Sequence, residues 1–348
     1  MMQPLPYLYD LTLTELEDLL LSWGEPRYRA PQVWNWLYRQ LATSVDEMTS
    51  LPKGLRERLA QETRLHIPPV LEQTVSLDGE TRKDLLEMAD GHQVEVVLMR
   101  YRDRRSACLS TQVGCAMHCT FCATGQMGFR RNLTSGEIVA QALHVARTLA
   151  AKGEALTHIV LMGMGEPLLN YKQTLAAVHR LNDPDGLQIG QRRITLSTVG
   201  IVPGIRRLTQ EGLQINLAVS LHAATDELRS ELLPVNRKYG LDLLLHAIGE
   251  YIARTNRRVT FEWTLIEGVN DTPEQAQILA ARLAGMLAHI NFIPLNPTEG
   301  YPGQPSSPER IAAFTEILER AHIPHSVRLR RGLDIQAGCG QLRVRRSR

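Results

Sequence analysis

Cys115-Ala116-Met117-His118-Cys119-Thr120-Phe121-Cys122 sets three cysteines at C-x3-C-x2-C spacing, directly after a short apolar run, Ala107 to Gln112, that reads as a strand. The chain holds only five cysteines in 348 residues. A triplet this tight arises by chance in about one such chain in a thousand. Three thiolates so close in sequence can ligate three irons of a 4Fe-4S cluster and leave the fourth iron without a protein ligand. An open coordination position is where a metal centre does chemistry rather than hold a fold together. The competing reading is a structural zinc site with His118 or Cys108 as fourth ligand, which lacks the paired-dyad spacing of zinc modules.

On either side of the triplet, short apolar strands alternate with helical patterns. Candidate strands are Ala107 to Gln112, His158 to Met162, Arg193 to Ser197, Ile215 to Leu221, Val259 to Leu265 and Asn291 to Leu295. Helical periodicity falls near 134–151, 172–181, 204–211, 241–254, 274–288 and 308–321. Six strand–helix units in series predict a parallel α/β sheet, either a partial barrel or a doubly wound sheet, with its site at the C-terminal strand ends. Residues 10–66 read as helical. Thr12 with Glu15, and Thr14 with Glu17, have capping-box spacing ahead of Leu16, Leu19 and Leu20, and Trp34, Leu37 and Leu41 recur at helical spacing. A small helical accessory domain is expected there; Arg27, Arg29, Trp34, Trp36 and Arg39 are either its core and rim or a nucleic-acid contact. Pro68 and Pro69 end that pattern, and Thr74 to Leu77 and Gln93 to Met99 read as strands. The expected divisions are 1–68, a helical accessory domain; 69–105, a β-rich extension; 106–327, the barrel; and 328–348, a basic C-terminal segment.

A net charge of +2 and 43% hydrophobic residues fit a globular enzyme and not a disordered chain. No uncharged apolar run approaches a membrane span, since Arg282 breaks the best one, Ile278 to Ile290. Asp10, Glu15, Glu17 and Asp18 stand where a signal peptide carries Lys or Arg. An odd number of cysteines crowded into one stretch is no disulfide framework, so a reducing, cytoplasmic location is expected. Charge is unevenly placed. From Arg328 to Arg348, seven arginines face one acid, Asp334, an excess of six positive charges. Further clusters lie at Arg100, Arg102, Arg104 and Arg105; Arg130 and Arg131; Arg192 and Arg193; and Arg254, Arg257 and Arg258. These suit a polyanionic partner or are solvated faces.

Placed at the head of parallel strand–helix units, the triplet resembles that of the radical S-adenosylmethionine superfamily. The next strand, His158 to Met162, leads into Gly163-Met164-Gly165-Glu166-Pro167, where Glu166 can receive an ammonium group. Cys115 to Gly128 with Asn132, Leu196-Ser197-Thr198, Ser220-Leu221-His222, Val235-Asn236-Arg237-Lys238-Tyr239, Gly268-Val269-Asn270-Asp271, Pro294-Leu295-Asn296-Pro297 and Ala337-Gly338-Cys339-Gly340-Gln341-Leu342 together resemble the RlmN/Cfr family of RNA adenine methyltransferases, over essentially the whole chain and closest to its RlmN branch.

The resemblance implies a partial (β/α)6 TIM-like barrel with a small N-terminal helical accessory domain. It implies one 4Fe-4S cluster on Cys115, Cys119 and Cys122, and S-adenosylmethionine held by Gly165, Glu166, Ser197, Ser220, Leu221, His222 and Asn296, with two molecules consumed per methylation. It further implies that Cys339 takes a methyl group and delivers its carbon as a radical to adenine C2, which is not nucleophilic. Glu95 then removes the ring proton, and Cys108 releases the product by forming a disulfide with Cys339. From sequence alone Glu95 is equally the solvent face of a strand, whereas the glycines flanking Cys339 predict an exposed, mobile loop, as a reactive thiol needs. The implied partners are ribosomal RNA, transfer RNA and an electron donor such as flavodoxin or ferredoxin, for a monomeric enzyme without membrane contact. The alternatives are methylation at C8, as in the Cfr branch, and a non-enzymatic, zinc-stabilised RNA-binding module.

Overall fold

A parallel strand buried on both faces reads as an unbroken apolar run, but Ile194-Thr195-Leu196-Ser197, Thr260-Phe261-Glu262-Trp263-Thr264 and His289-Ile290-Asn291-Phe292 alternate. In the computed structural model, which describes residues 5–328 and 331–343, the reason is plain. The apolar members pack outward under helices while the polar members line a lumen. Arg330, Arg345, Arg346 and Arg348 of the basic segment lie outside the described residues.

Three helices come first: α1 (Leu13–Ser22), α2 (Arg29–Tyr38) and α3 (Lys53–Glu62). Thr12 forms the expected capping box with Glu15, whose backbone N–H donates to Thr12 Oγ1 at 3.1 Å. Thr14 lies inside α1 and caps nothing. Trp34 and Leu37 are core, each worth roughly 1.5–3 kcal/mol of burial, and Trp36 donates its Nε1–H to Ser50 Oγ at 2.8 Å. An antiparallel ribbon follows, β1 (Val70–Val75), β2 (Thr81–Glu87) and β3 (Gln93–Arg100), and continues into β4 (Arg105–Cys108).

The sheet then turns parallel. After β4 the chain leaves it, forms a two-stranded ladder of β5 (Gln112–Gly114) and β6 (Phe129–Asn132) around the short α4 (Ala123–Met127), and enters α5 (Ser135–Ala150). The remaining units are β7 (His158–Leu161) with α6 (Tyr171–Asn182); β8 (Ile194–Thr198) with α7 (Val202–Gln210); β9 (Asn216–Ser220) with α8 (Asp226–Leu232) and α9 (Leu241–Thr255); β10 (Val259–Leu265) with α10 (Pro273–Leu283); and β11 (Ala288–Pro294) with α11 (Pro308–Arg320), closing on β12 (His325–Val327). Among the described residues the order is β1-β2-β3-β4-β7-β8-β9-β10-β11-β12, and the two ends do not meet. This is the expected partial barrel, an α/β fold with six strand–helix units and β12 as an extra edge.

The predicted strand Ala107 to Gln112 is two elements in different sheets. Leu109 N–H still reaches Val160 O at 2.9 Å, but Gly114, at φ 73°, then turns the chain so tightly that a Cβ there would lie 1.9 Å from Gly128 O. That turn launches the cysteine loop. The helical region is bound to the barrel by Asp10, whose Oδ1 accepts from Gly136 N–H at 2.6 Å at the start of α5, and by Arg147, which donates to Leu41 O at 2.8 Å and Tyr9 OH at 2.7 Å. No helix among the described residues is long and apolar enough to cross a membrane.

Candidate active site

A cavity of about 150 Å³ lies at the C-terminal strand ends, where the topology puts it. Cys115, Cys119, Cys122, Gly165, Glu166, Ser197, Ser220, His222, Asn296 and Cys339 all line it, which brings together stretches separated by more than 200 positions. Three residues of the expected site do not line it. Leu221 is core and contributes backbone: its N–H donates to Glu262 O at 3.0 Å and its carbonyl accepts from Arg229. Cys108 lies buried on β4, close enough to Cys339 for that thiol to disfavour its ionisation. Glu95 on β3 sits behind the C-terminal segment, paired with Lys83 Nζ at 2.9 Å and accepting from Arg343 N–H at 2.7 Å.

The cysteine loop is packed from below. Thr120 N–H donates to Leu232 O at 3.0 Å, and Cys119 and Phe121 share an apolar cluster with Leu232 and Leu233. Burial pushes Cys115 up to about 12, Cys119 well above the ordinary thiol range and Cys122 upward as well. Three buried thiols facing one cavity need cationic charge beside them to become thiolates. Among the described residues no three His, Cys, Asp or Glu side chains gather on a single ion position. His118 is exposed at φ 52° and Cys108 lies on a strand, so neither completes a zinc site. Three separate thiols at one wall fit a cluster, whose irons occupy separate corners.

The glycines of Gly163-Met164-Gly165 serve the chain's own packing. A Cβ at Gly163 would meet Leu109 O at 2.7 Å, and one at Gly165, φ 104°, would meet Gln112 Cβ at 2.6 Å. Gln112 also accepts from Glu166 N–H at 2.9 Å. The Glu166 carboxylate takes one backbone N–H on each oxygen, from Leu168 at 3.0 Å and Val199 at 2.8 Å, and burial pushes it up to about 7 against these bonds. His222 Nδ1 accepts from Thr264 N–H at 2.8 Å, which leaves the proton on Nε2 as a donor. Burial, helped by Arg229, pushes this imidazole down to about 3 and keeps it neutral. Asn296 Oδ1 is buried without a hydrogen-bond partner. An unpaired acceptor on the cavity wall fits the amino or hydroxyl groups of S-adenosylmethionine.

Cys339 is open to solvent at its surface although set among protein atoms. Desolvation raises its thiol, with Arg328 opposing. The mobile loop expected here is instead stitched down: Asn296 Nδ2–H donates to Cys339 O at 3.0 Å, Ala123 N–H to Gly340 O at 2.7 Å, and Thr124 Oγ–H to Leu342 O at 2.5 Å. Among the described residues no disulfide is present, and Cys108 and Cys339 are both free thiols. The expected pairing is therefore not a feature of this structure. Burial pushes Cys108 up to about 12, with Cys339 adding to it, so it rests as a thiol.

Arg229 carries no motif and is missed by sequence reasoning, because the short, charged stretch Asp226 to Leu232 gives no periodic signal. It is fully buried, donating to Leu221 O, Val199 O, Ser220 O and Asn236 Oδ1 at 2.7–3.1 Å. It thereby joins the ends of β8 and β9. Burial lowers it to about 10 against the opposing pull of Cys119 and Asp226.

The Ribosomal RNA large subunit methyltransferase N-terminal domain family matches residues 7–65, and the Radical SAM superfamily matches residues 109–277. A dual-specificity RNA methyltransferase RlmN 1 of Myxococcus xanthus is 54% identical over 98% of this chain and 96% of its own length. A probable dual-specificity RNA methyltransferase RlmN of Chloroflexus aurantiacus is 50% identical over 98% and 93%. The crystal structure of a radical SAM methyltransferase from Sphaerobacter thermophilus superposes with a TM-score of 0.95 at 52% identity, covering 97% of this chain and 99% of that one.

Proposed function

This chain belongs to the RlmN family of radical SAM RNA methyltransferases, and on that premise we propose that it methylates C2 of adenosine in 23S ribosomal RNA and in the anticodon loop of some transfer RNAs through a methylated Cys339. It is an S-adenosylmethionine-dependent RNA methyltransferase, and the family implies an iron–sulfur cluster. The observation that carries the finer reading is the single cavity shared by the cysteine triplet, the strand-end residues and Cys339.

In this reading Cys115, Cys119 and Cys122 would hold one 4Fe-4S cluster, which would supply the electron for reductive cleavage of S-adenosylmethionine. Glu166, Ser197, Ser220, the Nε2–H of His222 and Asn296 orient that substrate, and Gly165 and Leu221 shape the wall through backbone. Cys339 carries the methyl carbon to the base. Glu95 accepts the proton from ring C2 once Lys83 or the Arg343 N–H yields. Cys108 gives up its proton and attacks Cys339 sulfur: the sulfur–sulfur bond forms as the sulfur–carbon bond breaks, the released carbon takes up a proton to become the methyl group, and the unpaired electron of the adduct would return to the iron–sulfur centre that supplied it. Two molecules of S-adenosylmethionine are consumed per methylation. Ordering along the chain supports the divisions 1–68, 69–105, 106–327 and 328–348, and a cytoplasmic monomer served by a flavodoxin or ferredoxin completes the proposal.

Mass spectrometry of ribosomal and transfer RNA nucleosides from a strain lacking the gene tests it. Loss of 2-methyladenosine, restored by the wild-type gene, is the expected result. Unchanged 2-methyladenosine with loss of 8-methyladenosine would replace C2 by C8.

A further inference from the structure

The barrel has a second cavity at its opposite, N-terminal end, of about 660 Å³. Clusters far apart in sequence converge there: Arg104 before β4, Arg192 and Arg193 before β8, Arg257 and Arg258 before β10, and Arg328 after β12. Arg100 and Arg105, by contrast, pair with Glu154 at 3.3 and 2.6 Å. Among the described residues, Arg104, Arg192, Arg193, Arg257 and Arg258 have no carboxylate at ion-pair distance. Arg257 Nε is buried with no hydrogen-bond partner. The cations also crowd their neighbours: burial, then Arg104 and Arg193, lowers His158, while burial, then Arg258 and His325, lowers His289. Glu262 on the same wall acts on Arg328, but one carboxylate does not balance this many cations, and like charges left together are unfavourable unless an external anion occupies them.

Met162 and Glu262 line both this cavity and the one above, so the two ends of the lumen adjoin. The upper end is covered by residues 338–342, bonded to α4 and to the loop after β11. The lumen is also open from below, through the arginine-lined cavity that reaches up to the Met162 and Glu262 side chains it shares with the site. We infer that the arginine-lined lower mouth grips the ribose–phosphate backbone of the substrate RNA, and that the unstacked target base enters the barrel from that end. The inference rests on the RNA methyltransferase reading above. Phosphate contacts set register while the base is read deeper in the site.

The test compares three full-length proteins in binding a fluorescein-labelled transfer RNA anticodon stem-loop across a salt series. They are the wild type, the quadruple variant R192Q/R193Q/R257Q/R258Q, and a control with equal charge loss at arginines that pair with acids away from this cavity, R58Q/R206Q/R282Q/R320Q. The slope of log Kd against log salt should shrink by roughly 0.7–0.9 per lost contact in the lower-mouth variant, and hardly at all in the control. Lysine at the same four positions should restore the slope, which a merely misfolded variant would not do. Equal slopes in lower-mouth and control variants would overturn the inference while the RNA reading stood. A wild type that neither binds nor methylates RNA would overturn that reading, and this inference with it.

Discussion

His222 and Arg229 show how much of the site's rigidity comes from single buried groups. His222 is neutral in the fold because burial pushes it down to about 3, whereas an unfolded imidazole titrates near 6.5. Its contribution to stability is therefore complete above pH 6.5 and is lost as pH falls from there toward 3. By pH 5 the loss reaches about 2 kcal/mol. Urea midpoints of wild type and His222→Gln at pH 7 and pH 5 should show the wild type losing that much more across the interval, and parallel losses would contradict the assignment. Arg229→Met removes the donor from three carbonyls and Asn236 Oδ1, so urea unfolding should report a loss of roughly 2–5 kcal/mol. A loss under 1 kcal/mol would mean that other donors reach those groups.

The strand–helix rhythm of the barrel was legible because its apolar residues recur at two clean periods, and the six predicted helices each correspond to an observed one. The elements that escaped are those whose pattern is short or charged: β2, reading Thr-Arg-Lys-Asp-Leu-Leu-Glu, the seven-residue α8, and the three-residue β12. The cysteine triplet was legible because its chemistry is local in sequence. Arg229 and the converging arginines were not, since both depend on which loops the closing sheet brings together. The loop at Cys339 is an intermediate case. Its glycines predicted exposure, which is found, and mobility, which the bonds to Asn296 and α4 oppose. Gly338 is required by packing, because a Cβ there would meet Asn296 Nδ2 at 2.6 Å, whereas at Gly340 the nearest atom is 3.7 Å away. Gly338→Ala should accordingly lower single-turnover methylation roughly 10²-fold with iron content unchanged. A fully active variant would show that the loop leaves Asn296 before it works.

A barrel left open along one edge, with a polar lumen and a chemically equipped upper end, is what lets one chain of this size bring a metal cluster, S-adenosylmethionine and a large nucleic acid to a common point. The C-terminal segment crosses that end and carries Cys339 to the cavity wall, while Cys108 waits on β4 within electrostatic reach. The mechanism proposed gives the two cysteines different duties, so their variants should fail differently. Cys339→Ala should hold iron but form neither methylated RNA nor any covalent adduct. Cys108→Ala should load and deliver its carbon and then stall, because no second thiol is present to release the base. A denaturing gel of each variant isolated from cells, with and without ribonuclease, reads the difference. The account predicts a ribonuclease-sensitive, slow-migrating protein band for Cys108→Ala and none for Cys339→Ala; free methylated RNA at normal yield from either variant would contradict it.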